Sequence, residues 1–286
     1  MKISFILLLA ISCGVTVASL YYIQPLESII ALGFNVSKGA IGFVAMLTQI
    51  GYAIGLFFLV PLGDIFERRS LIIRMLLLVI VAMVLVTISP NYIIFATALF
   101  LVGLTSIVPQ LIIPYAAQLA KPEERGSVLG TVMSGLLIGI LLSRTFSGLV
   151  GSALGWRPVY LFATGFIIVL LLTIRFSFPK RPTTKVSYLY LLGWIPGLIK
   201  EQRVLLASAV NGFFMFGSFS VFWTSLIFLL ETPQYHMGMK EAGLIGLVGV
   251  TGALAAPVVG KVNDKRDLRF SVGIGTILSA VAYVLF

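Results

Sequence analysis

The chain of 286 residues is 59% hydrophobic and only 10% charged, and its mean hydropathy is +1.09. A soluble globular domain could not bury that much apolar surface, so the composition excludes one. The formal charge of +10 would suit a nucleic-acid partner, but the positions of the basic residues explain it better, and no nucleic acid is expected.

Nine apolar runs follow one another along the chain, and about 20 residues of helix cross the ~30 Å hydrocarbon core of a bilayer. The runs are continuous and lack the alternation of transmembrane strands, so we predict an all-α membrane protein. Spans 1 to 9 are predicted at residues 3–23, 40–62, 71–88, 92–120, 128–154, 159–178, 204–230, 242–259 and 270–286.

Span 1 could instead be a cleaved signal, because Lys2 precedes an apolar stretch and residues 10–13 resemble a lipoprotein cleavage site that ends at Cys13. The apolar run continues for about ten residues beyond Cys13, and its removal would invert the remaining topology against its charges. We therefore expect an uncleaved span.

A charged loop joins spans 2 and 3. Asp64 lies four residues before Arg68, so a turn brings opposite charges together at the membrane surface, where partial desolvation strengthens their attraction. Such a network can hold one of two helix arrangements and release it in the other. Alternatively, Asp64, Glu67, Arg68 and Arg69 only anchor a tight turn. We favour a gate, because an anchor has no need of Asp64.

Spans 4 and 5 carry unusual residues within the hydrocarbon. Pro109 and Pro114 remove backbone donors and should bend span 4 near Gln110, which favours a cavity there. Arg144 lies about sixteen residues, or ~24 Å, from the start of span 5 and should face the bundle interior. It could bind an anionic substrate, take part in proton coupling, snorkel to the outer surface or donate to neighbouring carbonyls, and the sequence leaves these alternatives open.

Stripes of small residues, which let helices pack closely, run along spans 5 and 8. Span 5 has a four-residue spacing and span 8 a three-residue spacing. The residues are Gly135, Gly139, Ser143, Ser147 and Gly151 in span 5, and Gly243, Gly246, Gly249 and Gly252 in span 8.

The longest polar stretch, residues 179–203, is interpreted as a linker between an N-terminal six-span bundle, residues 1–178, and a second bundle, residues 204–286. Within the linker, residues 188–198 could form a short helix in the membrane interface or a plain connector. After span 8, Asp264 opens a second charged loop at an offset of 200 residues from Asp64. A duplicated charged loop is typical of a two-fold transporter of about twelve spans, which would place about three spans of the second bundle beyond span 9.

Basic residues concentrate on the cytoplasmic side of membrane proteins, and their positions predict a cytoplasmic N-terminus here. On that assignment only Lys38, Arg157 and Lys240 lie outside, and Arg144 lies within a span. The sixteen cytoplasmic residues are Lys2, Arg68, Arg69, Arg74, Lys121, Arg125, Arg175, Lys180, Arg181, Lys185, Lys200, Arg203, Lys261, Lys265, Arg266 and Arg269.

This arrangement resembles the major facilitator superfamily of transporters, whose loops between spans 2 and 3 and spans 8 and 9 carry a glycine, an aspartate and clustered basic residues. The first loop matches through Asp64, Arg68 and Arg69, although Val60 stands where the family usually has glycine. Residues 21–25 and 51–64 look like bacterial drug or sugar efflux permeases.

The second loop resembles the family in its spacing, with Gly260 four residues before Asp264, followed by Lys265 and Arg269. The resemblance implies that both loops have a gating role and that spans 5 and 8 face each other across the two halves, so that their stripes would form a sliding interface. The family's antiporter signature is incomplete, since no proline follows Gly139, and this weakens the expectation of export by antiport.

Polar groups at membrane depth need a partner or a wet cavity, and each candidate could either contact substrate or form an interhelical hydrogen bond. Glu27, at the outer end of span 1, is the carboxylate nearest the expected pathway and a candidate proton site. The substrate-binding or coupling candidates are Gln24, Gln49, Tyr52, Gln110, Asn211, Trp223, Arg144 and Glu27, with Tyr21 and Tyr115 as further aromatic candidates for the cavity.

The predicted function is secondary active transport of a small organic solute by alternating access, as proton-coupled efflux, in a multi-pass protein of the bacterial inner membrane. The alternative is a truncated remnant without transport activity. An enzyme is not expected, because no phosphate-binding loop or catalytic triad is present, and Cys13 and the lone His236 do not resemble a metal site. We expect no cofactor; the expected partners are the solute, a proton or other coupling ion, and lipid.

Overall fold

The computed structural model describes residues 2–179, 187–230, 239–263 and 268–285. These residues form helices and no strands, as predicted. Six helical segments are long and apolar enough to cross a membrane: Lys38–Asp64, Arg68–Ile88, Tyr92–Leu119, Pro122–Leu154, Trp156–Ser177 and Arg203–Trp223. Three shorter apolar helices, Ile3–Ala18, Leu247–Asn263 and Phe270–Val284, lie at the remaining predicted spans.

The α-helices of the described residues are numbered in chain order. They are α1 (Ile3–Ala18), α2 (Glu27–Phe34), α3 (Lys38–Phe58), α4 (Arg68–Ile88), α5 (Tyr92–Thr105), α6 (Val108–Leu119), α7 (Arg125–Leu154), α8 (Trp156–Ser177), α9 (Tyr188–Glu201), α10 (Arg203–Leu230), α11 (Met239–Ala253), α12 (Ala256–Asn263) and α13 (Leu268–Leu285).

Three of the predicted spans are interrupted helices. A 3-10 turn, Gln24–Leu26, separates α1 from α2, so span 1 follows a helical path beyond the predicted end at residue 23 to Phe34. Span 4 divides into α5 and α6, and span 8 into α11 and α12. A proline lies at each interruption: Pro25 in the 3-10 turn before α2, Pro109 in the first turn of α6 and Pro257 in the first turn of α12. The missing N–H and fixed φ of proline suit the first turn of a helix but not its interior. The predicted bend near Gln110 is confirmed as this interruption.

Side-chain caps explain where several spans begin. The Ser37 hydroxyl accepts from the Ala40 amide at 3.2 Å before α3, and the Asn91 side chain accepts from the Ile94 amide at 3.0 Å before α5. These caps satisfy amides that have no partner within the helix. Polar side chains therefore set the start of hydrophobic helices.

One continuous hydrophobic core is built from residues of α1 to α8, including Leu9, Ile41, Val79 and Ile174. In it α1 packs on α7, α3 on α5, and α4 on α8. The predicted linker contains the helix α9, which buries none of its residues. Beyond α9, α11 and α12 pack along α7, and Leu141, Trp223 and Ala253 form a second small cluster.

Span 5 packs against span 8, as the resemblance implies, because α11 and α12 both contact α7, but Gly135 and Gly139 of the stripe on α7 face α1. A methyl group added at Gly14 would lie 2.5 Å from the Gly135 carbonyl oxygen, and one added at Gly139 would collide with the Gly14 backbone. Glycine permits this crossing because any side chain would separate the two backbones. The stripe therefore packs helices within the first bundle. In span 8, Gly249 faces Leu141 and Gly252 faces open space.

Candidate functional site

Arg144 is 2% exposed, although it carries the positive charge that lies deepest in the predicted spans. It projects from α7 toward the segment that follows α1 on one side and toward α10 on the other. Its Nε donates to Gln24 Oε1 at 2.8 Å, and its Nη1 donates to the Ile140 carbonyl at 3.2 Å. The side chain does not snorkel to the surface. Two oxygen acceptors hold it between α10 and the segment that follows α1.

The bond to Arg144 determines the orientation of the Gln24 carboxamide. A guanidinium nitrogen can only donate, so the Gln24 oxygen faces Arg144 and its amide nitrogen faces away. Among the described residues, neither Gln24 Nε2 nor Arg144 Nη2 has a hydrogen-bond partner, and neither belongs to the fully enclosed polar atoms. Two neighbouring side chains therefore retain donors that can bind an acceptor.

Aromatic rings surround the rest of the guanidinium group. The Arg144 Cζ lies 4.7 Å from the ring centroid of Trp223, 5.1 Å from that of Tyr21 and 5.8 Å from that of Phe219. The electron-rich ring faces attract the cation and exclude water around it. We refer to Arg144, Gln24, Tyr21, Trp223 and Phe219 as the arginine site.

A second polar pair lies between α3 and α6. Gln110 Nε2 donates to the Tyr52 hydroxyl at 3.1 Å, and both side chains are half-buried. Gln110 comes just after the interruption between α5 and α6, so the break places this amide next to α3. The structure thus joins two of the predicted candidates by an interhelical hydrogen bond.

The other predicted candidates lie apart from these contacts. Gln49 is half-buried on α3 and Asn211 is exposed on α10, whereas Glu27 begins α2 and is half-buried. Tyr115 donates to the Pro179 carbonyl at 3.1 Å and stacks on Phe178, so it contacts the start of the linker.

The first charged loop forms the predicted ion pair. Arg68 Nη2 donates to Asp64 Oδ1 at 3.1 Å, and Arg68 Nε donates to the Gly63 carbonyl at 3.3 Å. The Arg68 side chain is 15% exposed and that of Asp64 is 58% exposed, so only the arginine is largely withdrawn from water. In the second charged loop, Asp264 and Lys265 lie outside the described residues.

The rest of this loop caps α4 and joins it to α8. The Glu67 carboxylate caps α4 by accepting from the amides of Arg69 at 3.0 Å and Ser70 at 2.9 Å. Arg69 donates to the Arg175 carbonyl near the end of α8. Glu67 and Arg69 therefore have anchoring contacts, and Asp64 forms an ion pair with Arg68. In the second loop Gly260 is buried, and the side chain of Arg269 lies outside the described part of the chain.

The helices α7 and α12 approach each other most closely at the end of the bundle that carries the Asp64 loop, which we call the loop end. A methyl group at Gly130 would lie 2.7 Å from the Ala256 carbonyl oxygen, and one at Gly260 would collide with the Gly126 backbone. Ser134 Oγ donates to the Ala253 carbonyl at 2.7 Å nearby. The segments before and after the linker are therefore in direct backbone contact at the loop end.

Sequence reasoning missed Phe219 and the glycines of α7 that meet α12. Phe219 precedes Trp223 by four residues, which places both rings on one face of α10, and that spacing could have identified it. Gly126 and Gly130 also have a four-residue spacing, but Gly126 precedes the predicted span 5 and Gly130 is only two residues after its start.

The sequence matches the Major Facilitator Superfamily over residues 6–286. An Escherichia coli (strain K12) protein described as an uncharacterized transporter, YgaY, is 39% identical over 98% of this chain and 72% of its own length. A transporter of Streptomyces coelicolor, SCO4007, is 33% identical over 99% of this chain and 66% of its own length. The Escherichia coli inner membrane transport protein YnfM is 25% identical over 91% of the chain.

The fold is similar to the crystal structure of the human organic anion transporter MFSD10 (TETRAN). The TM-score is 0.66 over 91% of this chain and 73% of that one, at 16% sequence identity. At this identity the likeness concerns the helical architecture alone.

Proposed function

The chain belongs to the major facilitator superfamily of multi-pass membrane transporters, and from this membership we propose secondary active transport of a small organic solute by alternating access. We further propose that the protein resides in the bacterial inner membrane with its N-terminus in the cytoplasm. Transport is proposed to run outward and to be coupled to protons. The inner-membrane location has support from the similarity to YnfM.

The arginine site is the observation that carries the proposal. Arg144, Tyr21 and Gln24 precede the linker in the chain, whereas Trp223 and Phe219 follow it. A solute bound at this junction would touch both segments, so its binding energy would depend on how they are arranged. Differential affinity for two arrangements is what couples a ligand to a conformational change.

The loop end supplies the second element of the mechanism. Backbone contact between α7 and α12 joins the segments before and after the linker at that end, and the Asp64–Arg68 ion pair lies at the same end. We propose that the loop stabilises this arrangement and releases it when the opposite one forms. Glu27, three residues after Gln24, is proposed as the proton site because a charge change there adjoins the turn that orients Gln24.

The test is solute-dependent proton movement in reconstituted vesicles. Purified protein is incorporated into vesicles that contain the pH indicator pyranine, and anionic, neutral and cationic organic solutes are added in turn. At least one solute should change the internal pH, and Arg144→Gln should lower its initial rate by about tenfold or more, which corresponds to loss of one charge-assisted contact.

Arg157→Gln is the matched control. Arg157 also lies over an aromatic ring, 4.2 Å from the Trp156 centroid, but it is exposed and donates to the Ser89 carbonyl away from the arginine site. This variant should retain the wild-type rate. Solute movement without a pH change would contradict proton coupling, and the absence of movement of every solute would favour the inactive alternative. Normal rates in Glu27→Gln would remove that residue from the coupling mechanism.

A further inference from the structure

We infer that the transported solute is an organic anion with an aromatic or apolar body, and that its anionic group binds Arg144 and Gln24. This inference rests on the proposed function, since it assigns a substrate class to the same site. It is argued from the charge balance, the available donors and the surrounding rings.

The charge of Arg144 is uncompensated among the described residues. Asp64 pairs with Arg68 at the loop end, and no carboxylate of the described residues pairs with Arg144. A buried cation without a counter-charge is costly, and two neutral oxygen acceptors, Gln24 Oε1 and the Ile140 carbonyl, offset only part of the cost. An anion that enters the site would supply the missing charge.

The donors that remain at the site suit an anionic oxygen. Arg144 Nη2 and Gln24 Nε2 are both without protein partners among the described residues, and neither is among the fully enclosed polar atoms. Arginine binds carboxylates, sulfonates and phosphates through parallel N–H donors, and an adjacent carboxamide N–H adds a further bond. Because the Gln24 oxygen is already committed to Arg144, the pair presents donors rather than acceptors, which favours an anion over a neutral donor or a cation.

The rings restrict the body of the ligand. Trp223, Tyr21 and Phe219 present apolar surface immediately around the guanidinium group. A small hydrated ion would lose its water against these rings without compensation, whereas an aromatic or aliphatic body would bury apolar surface there. The same faces already contact the Arg144 cation, so an organic cation would meet both repulsion and occupied rings.

The experiment compares three probes that share one ring and differ in charge: 4-fluorobenzoate, 4-fluorobenzamide and protonated 4-fluorobenzylamine. Fluorine-19 relaxation measures their binding to the whole chain in lipid nanodiscs, with empty nanodiscs as the reference for partitioning into lipid. We expect the benzoate to bind and to be favoured over the other two by about tenfold or more.

Three variants locate the binding. Arg144→Gln should weaken 4-fluorobenzoate binding by about tenfold or more, Arg144→Lys should retain part of it because the charge remains, and Arg157→Gln should leave it unchanged. Equal affinity for the three probes, a preference for the cation, or no binding of the benzoate to wild-type protein would overturn the inference. These wild-type results do not depend on whether any variant folds.

The binding and transport experiments can refute the substrate class and the proposed function independently of each other. Binding is measured at equilibrium without a gradient, so anion binding that depends on Arg144 in a protein that moves no solute would refute transport and keep the anion site. Movement of neutral or cationic solutes with no anion binding would keep the proposed function and refute the substrate class.

Discussion

Arg144 shows how a cation can be buried in a membrane protein without a counter-charge among the described residues. Its hydrogen bonds to Gln24 and to the Ile140 carbonyl use two of its donor nitrogens, and three rings cover the guanidinium faces. Each contact lowers the cost of burial, but none neutralises the charge. The side chain is thus held in position while its charge stays uncompensated, and the proposed anion would supply the missing charge.

Asp64 has a different energetic role, because its side chain is largely exposed. Because the Asp64 side chain is 58% exposed, water screens its attraction to Arg68, so the pair contributes about 1 kcal/mol or less and Asp64→Asn should change the free energy of unfolding only slightly. If the loop gates, the same substitution should abolish solute flux, since Arg68 then loses the contact that favours one arrangement. Solute flux in reconstituted vesicles measures the loss of transport, and unfolding in detergent measures the change in stability, both on the same preparation of the variant.

The control for Asp64 is Glu123→Gln, which removes an exposed carboxylate from the 3-10 turn before α7. Both the flux and the free energy of unfolding of this variant should equal those of the wild type. Normal flux in Asp64→Asn would leave the loop only its anchoring contacts, those of Glu67 and Arg69.

At the scale of elements, the crossing of α1 and α7 is the contact on which the first bundle most depends. Gly139→Ala would place a methyl group against the Gly14 backbone, and the two helices would have to separate. We expect a loss of about 1–3 kcal/mol in the free energy of unfolding, the usual cost of overpacking a well-packed contact. Titration with a denaturing detergent, followed by circular dichroism, measures it.

Gly165→Ala provides the matched comparison, because a methyl group at Gly165 on α8 meets no atom within 4 Å. There alanine should leave stability unchanged or raise it by up to about 1 kcal/mol, through its higher helix propensity. Similar destabilisation in both variants would mean that the crossing does not require glycine at position 139.

At the scale of the whole molecule, the orientation in the membrane determines whether the loop end faces the cytoplasm or the outside. The excess of basic residues predicts that the loop end is cytoplasmic. In a Cys13→Ser background, Lys38→Cys and Lys121→Cys place single thiols at opposite ends of the bundle. A membrane-impermeant maleimide applied to intact cells should label position 38 and leave position 121 unlabelled until the cells are permeabilised. The reverse pattern would contradict the orientation.

Local sequence patterns predicted the spans of the whole molecule better than the contacts between them. The nine apolar runs were located correctly because hydropathy depends on consecutive residues, and the bend of span 4 was predicted because proline acts on its own helix. The end of span 1 was placed too early, since a 3-10 turn at Gln24–Leu26 lets the path continue into α2. Spans 5 and 8 do pack against each other, but Gly135 and Gly139 of the stripe on α7 contact α1 and not span 8.

By itself the amino-acid sequence determined the all-α membrane class, the transporter family, the charged loop and the position of Arg144 within a span, because burial in lipid and charge at a membrane surface act on each segment separately. Only the tertiary structure decided which side chains surround Arg144, which glycines bring α7 against α12, and that Tyr115 contacts the linker. These contacts join residues far apart in the chain, and in a bundle of similarly apolar helices their pairing depends on how all the surfaces fit together.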